Sequence, residues 1–391
     1  MKKLLVLTPR FPYPAIGGDR VRILHICQAL SAHFAITLLS LCETQEEMDF
    51  YPHDGVFSAI NKVYLPRWRS YLNTALAILG TRPLQLAYYE SSEFRKTLNT
   101  LLPQNDLILA HLIRAGQYVE HCSELRILEM TDAISMNYLR MQQLSGSYNW
   151  KRLVYKVEQK RLKKYELRVV QKFDRVWLTS QMDRSFLDPS NDYPIDVIPN
   201  GTDIEKLPFR PPAPEARVIV FIGNMSTLQN QDACHYFIKE ILPIVRVHAN
   251  VVFRIVGSAS TSVQRRFSAY QYVQMTGRIE RIEDGISGAF CGVCPIRAGA
   301  GIQNKILEYL ALGLPCVTST VGMSGVKARP GTELLVYRDP TEAARQILML
   351  YSNPGIRLQM ASAGRDLVCR TYDWKNAHKA FIDSCLKISE Q

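Results

Sequence analysis

The sequence predicts an α/β protein of two domains, each built on a parallel sheet. Short apolar runs alternate with helical patterns along the chain, which is typical of parallel strands covered by helices. The pattern restarts after a proline-rich stretch at residues 208–214, which predicts a stiff, extended linker. The length of 391 residues also suits two domains.

In the first half, the apolar runs predict strands and two segments predict helices. The predicted strands are Lys3–Thr8, Ala35–Ser40, Lys62–Tyr64, Leu107–Ala110, Arg126–Glu129, Arg175–Leu178 and Asp196–Ile198. Residues 84–102 predict one helix, and residues 150–173 predict a long, charged one. The apolar run after Lys3 is too short for a signal-peptide core, so we expect it to be a buried strand.

The second half repeats this organisation. The predicted strands are Val218–Phe221, Val251–Val256, Val273–Met275, Cys291–Pro295, Cys316–Thr318 and Leu334–Val336. Helices are predicted at Gln231–Ile241, Ile302–Leu312 and Thr341–Tyr351, and a last helix at Trp374–Lys387.

Composition limits the classes of partner and compartment. The net charge of +11 favours anionic partners such as nucleotides, lipid phosphates, a membrane surface or nucleic acid. The 9 cysteines are scattered without a disulfide-like spacing, which predicts reduced thiols in a cytosolic compartment. Cys291 and Cys294 lack a second ligand pair, so we expect buried thiols there instead of a metal site. The sequence has no apolar run long enough to span a bilayer, which predicts a soluble or peripheral protein.

The most informative stretch runs from Pro295 to Thr318. A glycine-rich turn at Gly299 and Gly301 leads into a helix with Lys305 and Glu308, and the helix ends at Gly313. Glycines let a backbone approach a ligand closely, and a helix N-terminus attracts anions. A lysine can add charge for a phosphate, and a glutamate can accept hydrogen bonds from sugar hydroxyls. These features suit a nucleoside diphosphate sugar.

This stretch resembles the donor-binding segment of retaining glycosyltransferases of the GT-B fold, of the family-four type. That family usually carries two glutamates separated by seven residues; here the second is Glu308 and the first position is Ala300. The form Gly-Ile-Gln-Asn-Lys-x-Leu-Glu resembles a subset of bacterial exopolysaccharide glycosyltransferases.

The resemblance implies two Rossmann-like domains that face each other across a cleft, with the C-terminal helix returning to the first domain. We expect an acceptor domain at residues 1–205 with 374–391, and a donor domain at residues 206–373.

The resemblance also implies roles for individual residues. The expected catalytic residues are His111 and Lys305, the expected donor-binding residues are Gly17, Gly18, Gly223, Asn224, Gly277, Arg278, Arg297, Gly301 and Glu308, and the expected acceptor-side residues are Asp19 and Asp132. Alternatives remain for several of them. The glycine pair also suits a plain turn, His111 a structural histidine, and Asp132 a helix N-cap.

The chain departs from the family pattern after Gly223. Many members place an arginine and a lysine there to bind phosphates, whereas this chain has Asn224. We therefore expect Arg297 and Lys305 to supply the positive charge. The sequence contains no Asp-x-Asp, so we expect no metal and no other cofactor besides the donor substrate.

The segment 151–175 is strongly basic, with ten lysines and arginines against three acidic residues. Two interpretations are open: a helix that meets an anionic membrane or a lipid-diphosphate acceptor, or a solvated helix with internal charge pairs. Nucleic-acid binding is disfavoured because no aromatic stacking platform accompanies the charge.

The predicted activity is transfer of a sugar from a nucleoside diphosphate sugar to a hydroxyl of a glycan or lipid-linked glycan, with retention, in bacterial polysaccharide biosynthesis. The predicted location is cytoplasmic and peripheral at the inner face of the cell membrane. Two alternatives keep the fold: a nucleotide-sugar 2-epimerase, and a non-catalytic scaffold that binds nucleotide sugar, for which Ala300 is the motive.

Overall fold

The computed structural model describes residues 1–144 and 150–389, apart from the side chains of residues 143, 144, 150–152 and 389. The chain divides into two compact units. The first unit comprises Met1–Pro199 and Ala377–Gln391, and the second comprises Asn200–Asn376.

In the described part of the chain, the first unit contains a seven-stranded parallel sheet with the order β3-β2-β1-β4-β5-β6-β7. The strands are β1 Lys2–Thr8, β2 Phe34–Cys42, β3 Ala59–Tyr64, β4 Leu107–His111, β5 Arg126–Thr131, β6 Arg175–Leu178 and β7 Ile195–Val197. The interior strand β1, paired on both sides, is buried from Leu4 to Thr8, which explains its unbroken apolar run.

The helices of the first unit cover this sheet. They are α1 Gly18–Leu30, α2 Gln45–Asp49, α3 Arg67–Ala77, α4 Leu84–Tyr88, α5 Ser92–Leu101, α6 Leu112–Gly116, α7 Ile134–Leu144, α8 Trp150–Val169 and α9 Gln181–Leu187, with 3₁₀ turns at Leu102–Gln104 and Val170–Lys172. The prediction of one helix over residues 84–102 is wrong. The Ser91 side chain caps α5 by accepting a hydrogen bond from the Phe94 N–H, so a new helix starts there.

The second unit contains a parallel sheet of six strands among the described residues, with the order β10-β9-β8-β11-β12-β13. The strands are β8 Val218–Ile222, β9 Val252–Val256, β10 Val273–Gly277, β11 Ala289–Cys294, β12 Cys316–Ser319 and β13 Leu335–Tyr337. The helices are α10 Leu228–Tyr236, α11 Leu242–His248, α12 Thr261–Ser268, α13 Ile282–Gly285, α14 Asn304–Leu312, α15 Pro340–Ser352 and α16 Pro354–Thr371, with a π-helical turn at Phe237–Ile241.

The proline-rich linker packs on α16. The Arg357 guanidinium donates hydrogen bonds to the carbonyls of Ala213 (3.1 Å) and Pro214 (2.8 Å), and the Arg365 guanidinium donates one to Leu207 (2.6 Å). The linker therefore belongs to the second unit, where buried arginine stems hold a stretch of proline-rich backbone.

The last helix, α17 Trp374–Ser389, begins in the second unit and packs from Ala377 onward in the first. Phe381 lies against Trp177, with ring centroids 5.0 Å apart. The Trp177 indole N–H donates to the Ser384 hydroxyl (2.9 Å), which in turn donates to Asp196 (2.7 Å). The predicted return of the C-terminal helix to the first domain is confirmed.

Two parallel sheets covered by helices confirm the predicted α/β class. In the described residues, no helix combines the length and the apolar composition needed to cross a membrane. Cys291 and Cys294 are buried on β11, and burial raises the pKa of both thiols.

Candidate functional site

In the second unit, three neighbouring strands end in glycines that are joined through their backbones. The Gly223 N–H, after β8, donates to the Val256 carbonyl (2.9 Å), and the Gly257 N–H, after β9, donates to the Gly277 carbonyl (3.1 Å). Gly257 has φ 143°, and a Cβ on it would lie 2.1 Å from the Gly223 carbonyl oxygen, so only glycine fits. The carboxyl edge of the sheet is therefore a surface of bare backbone, where ligands bind in open α/β sheets.

Helix α14 places Lys305 and Glu308 beside this edge. The Lys305 side chain is only 9% exposed, and its ammonium lies 5.2 Å from the centre of the Phe221 ring, next to Gly223. Among the described residues, no carboxylate lies within salt-bridge distance of this ammonium, which donates to the amide oxygens of Gln303 (3.2 Å) and Asn230 (3.4 Å). A buried cation held only by neutral amides keeps its charge available for an anion.

Glu308 follows one turn later on α14. Burial raises the pKa of its carboxyl, and the charge of Lys305 lowers it in part. Within the part of the chain that the structure describes, the Glu308 carboxylate makes no hydrogen bond to protein. Its acceptor oxygens are free for donors on a ligand.

Lys305 is held by a short chain of hydrogen-bonded amides, Asn230 and Asn224. The Asn230 amide donates to the Asn224 carbonyl (2.8 Å) while its oxygen accepts from Lys305, and Asn224 itself accepts from the Ser226 N–H through its side chain (2.9 Å). Asn224 therefore shapes the turn after Gly223. Asn230 is a supporting residue to which the sequence analysis assigned no role.

Tyr309 ties α14 to the ends of β8 and β11. Its buried hydroxyl accepts a hydrogen bond from the Ile222 N–H (2.8 Å) and lies 3.3 Å from the Val293 carbonyl. A Cβ on Gly292 would lie 2.6 Å from the Tyr309 ring, so the helix packs close to the sheet. The Tyr309 role was not predicted; its only sequence signal is its place beside Glu308.

The other predicted donor-binding residues of this unit have different surroundings from those of Lys305 and Glu308. Arg297 forms a two-pronged ion pair with Asp232, with 3.0 Å between Nε and a carboxylate oxygen, and stacks on Tyr236. Arg278 is exposed after Gly277, and Gly301 is buried with φ 66° in the turn before α14. Arg297 therefore lies with its charge balanced, whereas Lys305 does not.

In the first unit, Gly17 and Gly18 lie at the start of α1, after the loop that follows β1. Gly17 has φ 101°, a backbone conformation that favours glycine, and no side chain caps the helix. Asp19 lies in the first helical turn, with a carboxylate oxygen 3.5 Å from the Arg10 guanidinium. The loop, the glycine pair and Asp19 thus follow the carboxyl end of strand β1.

His111 ends β4 and is 2% exposed. Its Nδ1 lies 2.5 Å from a carboxylate oxygen of Glu129, on the neighbouring strand β5. The other Glu129 oxygen accepts from Nε of the buried Arg22 (2.6 Å), and the Thr131 hydroxyl also donates to this carboxylate (3.0 Å). Glu129 thus orients the imidazole and leaves Nε2 as the nitrogen that it does not engage.

The pKa of Glu129 is set more by the neighbouring charges than by burial. Burial acts to raise the pKa of this carboxyl, but Arg22 and His111 hold it at about 2. Two residues close to these strand positions are backbone outliers: Leu112, directly after His111, and Thr131, two residues after Glu129, both have φ 64° without being glycine. Such strain is kept where the surrounding structure fixes a particular side-chain geometry.

Asp132 follows Thr131 and accepts a hydrogen bond from the Thr179 hydroxyl (3.0 Å). Burial and the nearby Asp183 carboxylate raise the pKa of Asp132. Asp183 is itself occupied, because it accepts from the Ala133 N–H (2.9 Å) at the start of α7. His111 and Asp132 therefore lie at the carboxyl ends of two neighbouring strands.

The basic segment 151–175 is divided between partnered and solvent-facing charges; the side chains of Lys151 and Arg152 lie outside the described residues. Glu158 is buried, pairs with Arg161 (2.8 Å) and accepts from the Leu84 N–H (2.8 Å) at the start of α4. Lys156, Lys160 and Lys164 are exposed. The helix is therefore anchored through Glu158 while a row of lysines faces solvent.

Comparison with known proteins finds a family that part of this chain resembles. The family described as glycosyl transferases group 1 matches residues 216–353, which include the glycine edge and α14. No curated protein matches the chain in sequence.

Solved structures share the fold along nearly the full length. Sucrose-phosphate synthase from Thermosynechococcus elongatus superposes with a TM-score of 0.74 at 14% identity, covering 99% of both chains. HepE from Anabaena, in complex with UDP and glucose, gives a TM-score of 0.70 at 12% identity, covering 98% of this chain and 100% of that one. A glycosyltransferase from Rickettsia africae gives 0.63 at 10% identity, covering 99% and 98%. Residues 216–353 therefore match group 1 glycosyltransferases, and the chain has the GT-B fold.

Proposed function

We propose that the protein transfers a sugar from a nucleoside diphosphate sugar to a hydroxyl of a glycan or lipid-linked glycan, with retention at the anomeric carbon, in bacterial polysaccharide biosynthesis. The observation that carries the proposal is a pair of residues one turn apart on α14. Among the described residues, the buried Lys305 has no carboxylate partner and Glu308 has no hydrogen-bond donor, and both lie beside the glycine edge of a segment that matches group 1 glycosyltransferases.

In this proposal the second unit holds the donor. The backbone at Gly223 and Gly301 lies against the diphosphate, the loop at Gly277 borders the nucleotide base, and Glu308 accepts hydrogen bonds from ribose hydroxyls. Asn224 shapes the turn at Gly223. Arg278 and the Asp232-paired Arg297 lie at the edge of the donor site, so Lys305 carries most of the charge that meets the phosphates.

The reaction breaks the bond between the anomeric carbon and the departing phosphate oxygen. The acceptor hydroxyl oxygen bonds to the same face of that carbon, and its proton passes to the departing phosphate. Negative charge develops on the leaving diphosphate, so a preorganised ammonium at Lys305 is the main source of transition-state stabilisation. The proposal requires no metal, and that remains a prediction.

The first unit holds the acceptor and the sugar side. Gly17 and Gly18 offer backbone N–H groups to the donor phosphates, and His111, oriented by Glu129, faces the donor sugar. Asp19 and Asp132 serve the acceptor. The basic segment 151–175 meets an anionic membrane surface.

HepE was solved with UDP and with UDP-glucose, which makes uridine nucleotides the first donors to test. We expect UDP to raise the thermal midpoint of this protein more than GDP, CDP or ADP, because a ligand of the folded state stabilises it by mass action. The variant Glu308→Ala should lose most of the UDP shift. No shift with any of these nucleotides or their sugar conjugates would overturn the proposal.

Product analysis separates the remaining activities. Incubation of donor without acceptor should yield no epimerised nucleotide sugar, whereas an epimerase would yield one. A scaffold, the alternative suggested by Ala300, would bind the nucleotide and turn over nothing with any glycan acceptor. The anomeric configuration of the product, read by NMR, tests retention.

A further inference from the structure

Helix α3 turns its polar face toward the protein and its apolar face toward solvent, the reverse of a typical amphipathic helix. Its inward residues are polar: Ser70 is buried, and Asn73 donates a hydrogen bond to the Glu90 carbonyl (3.0 Å). Its large apolar residues face solvent at helical spacing, continuing past its end: Trp68, Tyr71, Leu72, Leu76, Ile78 and Leu79. Trp68 is 68% exposed, Leu76 76% and Leu79 98%. We call residues 68–79 the apolar stripe.

This exposure requires an explanation, because folded proteins rarely present a contiguous large apolar patch to water. Of the stripe residues, Tyr71 contacts the Tyr88 ring of α4 edge-on, with ring centroids 5.8 Å apart, and is still 63% exposed. Ser70, Asn73 and Thr74 form its inner face, so the stripe is the outward-facing surface. Tyrosine and tryptophan beside aliphatic residues are the composition that membrane interfaces favour.

The segment that carries the stripe has only positive charges of its own, and two of its arginines are paired with carboxylates of neighbouring segments: Arg67 with Glu43 (3.2 Å) and Arg82 with Glu90. Residues 67–82 contain Arg67, Arg69 and Arg82 and no acidic residue. The Arg161 guanidinium of α8 donates hydrogen bonds to the carbonyls of Ile78 (2.8 Å) and Gly80, which fixes α8 beside the end of the stripe. The exposed Lys156, Lys160 and Lys164 follow one another at intervals of one helical turn on α8.

A cavity of about 810 Å³ opens directly after the stripe, from Thr81 onward. Its lining includes Arg82, Arg95, Arg161, Lys164 and Arg168, against the carboxylates of Glu90 and Glu120. Glu90 pairs with Arg82 and Arg95, and Glu120 pairs with Arg168. The cavity therefore keeps an excess of positive charge, which suits a phosphate group.

We propose that the apolar stripe docks on the surface of an anionic lipid bilayer, with the lysine row of α8 and the basic cavity binding lipid phosphates. Trp68, Leu76 and Leu79 enter the boundary between headgroups and acyl chains, while the cations meet the headgroups. A second copy of this chain is a poor occupant, because two such surfaces would oppose their arginines and lysines. The inference deepens the proposed function, and rests on it only in that a lipid-linked acceptor would be reached at this surface.

The test is flotation of the full chain with vesicles of phosphatidylcholine, with and without phosphatidylglycerol. We expect binding to the anionic vesicles that weakens with salt. The double variant Leu76→Glu/Leu79→Glu should lose about tenfold or more of the vesicle affinity, because two apolar side chains no longer leave water. The matched control is Val247→Glu/Leu358→Glu, which adds the same charge at two exposed apolar positions of the second unit.

An equal loss of vesicle affinity in the two double variants would overturn the role of the apolar stripe, because the added negative charge alone would then explain the loss. Absence of wild-type binding to anionic vesicles would also overturn the proposal, and so would a dimer in sedimentation that the stripe variant dissociates. Lys156→Gln/Lys160→Gln/Lys164→Gln should weaken binding to anionic vesicles and flatten its salt dependence. Unchanged binding by this triple variant would remove the lysine row from the surface.

Fluorescence gives a local readout. Of the 4 tryptophans, Trp68 is exposed, Trp177 and Trp374 are buried, and the Trp150 side chain lies outside the described residues. Vesicles should shift the Trp68 emission to shorter wavelength, which is read as the difference between the wild type and a Trp68 variant. Trp68→Phe should bind with little change and lose that shift; a retained shift would place insertion elsewhere. The UDP thermal shift of each variant is measured in parallel, because loss of membrane binding with an intact UDP shift leaves the proposed donor site standing.

Discussion

The carboxyl edges of the two sheets are built in contrasting ways. In the first unit, buried charged side chains pair with one another: the Glu129 carboxylate lies between His111 and Arg22. In the second unit the edge is glycine backbone, and neither Lys305 nor Glu308 has an oppositely charged partner within salt-bridge distance in the part of the chain that the structure describes. A network that satisfies itself fixes side-chain geometry, whereas charges left open at bare backbone are prepared for a ligand. Breaking the Arg22–Glu129 pair at the first edge should therefore affect mainly stability, whereas mutations of Lys305 and Glu308 at the second should affect mainly binding and turnover.

The largest effect is expected at Arg22. Arg22→Met keeps much of the side-chain volume but leaves Glu129 buried without its arginine, which should cost about 3–5 kcal/mol of the free energy of unfolding. Urea denaturation measures this loss. The control Arg338→Met removes the arginine of an exposed pair with Glu342 and should change the midpoint little. If the two variants lose the same stability, the buried network does not have the role assigned to it.

Lys305→Met tests the second edge. The methionine keeps the packing beside Phe221 and removes the ammonium, so kcat should fall roughly 100-fold while the urea midpoint is nearly unchanged. Steady-state kinetics with the donor identified by thermal shift measures it, with the exposed Lys239→Met as control. Full activity would remove Lys305 from the phosphate site.

Glu166 extends the comparison to pH. Burial raises the pKa of this carboxyl to about 7, although hydrogen bonds from Ser135 oppose the rise. The folded state then holds a proton that the unfolded state releases near pH 4.5, so the contribution to stability is present below that pH and is lost as pH rises through 7. The free energy of unfolding, measured by urea denaturation, should decline between pH 5 and pH 7 by about 2 kcal/mol, and Glu166→Gln should flatten this dependence on pH. An identical slope in the variant would assign the effect to other groups.

Glu308 should give the smallest change. Glu308→Ala removes acceptors for ribose hydroxyls and should raise the donor Kd about tenfold, equivalent to ~1.4 kcal/mol, with little effect on unfolding. Isothermal titration with the nucleotide measures it. A comparable loss with the 2′-deoxy nucleotide would contradict the ribose contact, because that ligand already lacks one hydroxyl.

Much of the fold could be predicted because buried parallel strands leave continuous apolar runs, as at Leu4–Leu7 and Ile219–Phe221. The Lys305 and Glu308 positions followed from the glycine–helix motif and the family that it resembles. Helix breaks were less predictable: the Ser91 cap that divides residues 84–102 uses a common residue in an unremarkable context.

The rest depends on contacts between distant residues. Glu129 was predicted only as the end of an apolar strand, and its partner Arg22 lies 107 residues away in sequence. The outward stripe of α3 could not be foreseen either, because its pattern is that of any amphipathic helix. Which face meets the protein is decided by contacts such as Asn73 with Glu90.

The course of α17 has a consequence for biosynthesis. Trp177, Arg22 and Asp196 belong to the early part of the chain, yet Phe381 and Ser384, against which they pack or hydrogen-bond, are near its end. The first unit is therefore the first to leave the ribosome and the last to be completed. Until the whole second unit has been translated, the surface of Trp177 that Phe381 and Ser384 cover is left open. A stop codon shortly before Phe381 would damage the unit that was translated first.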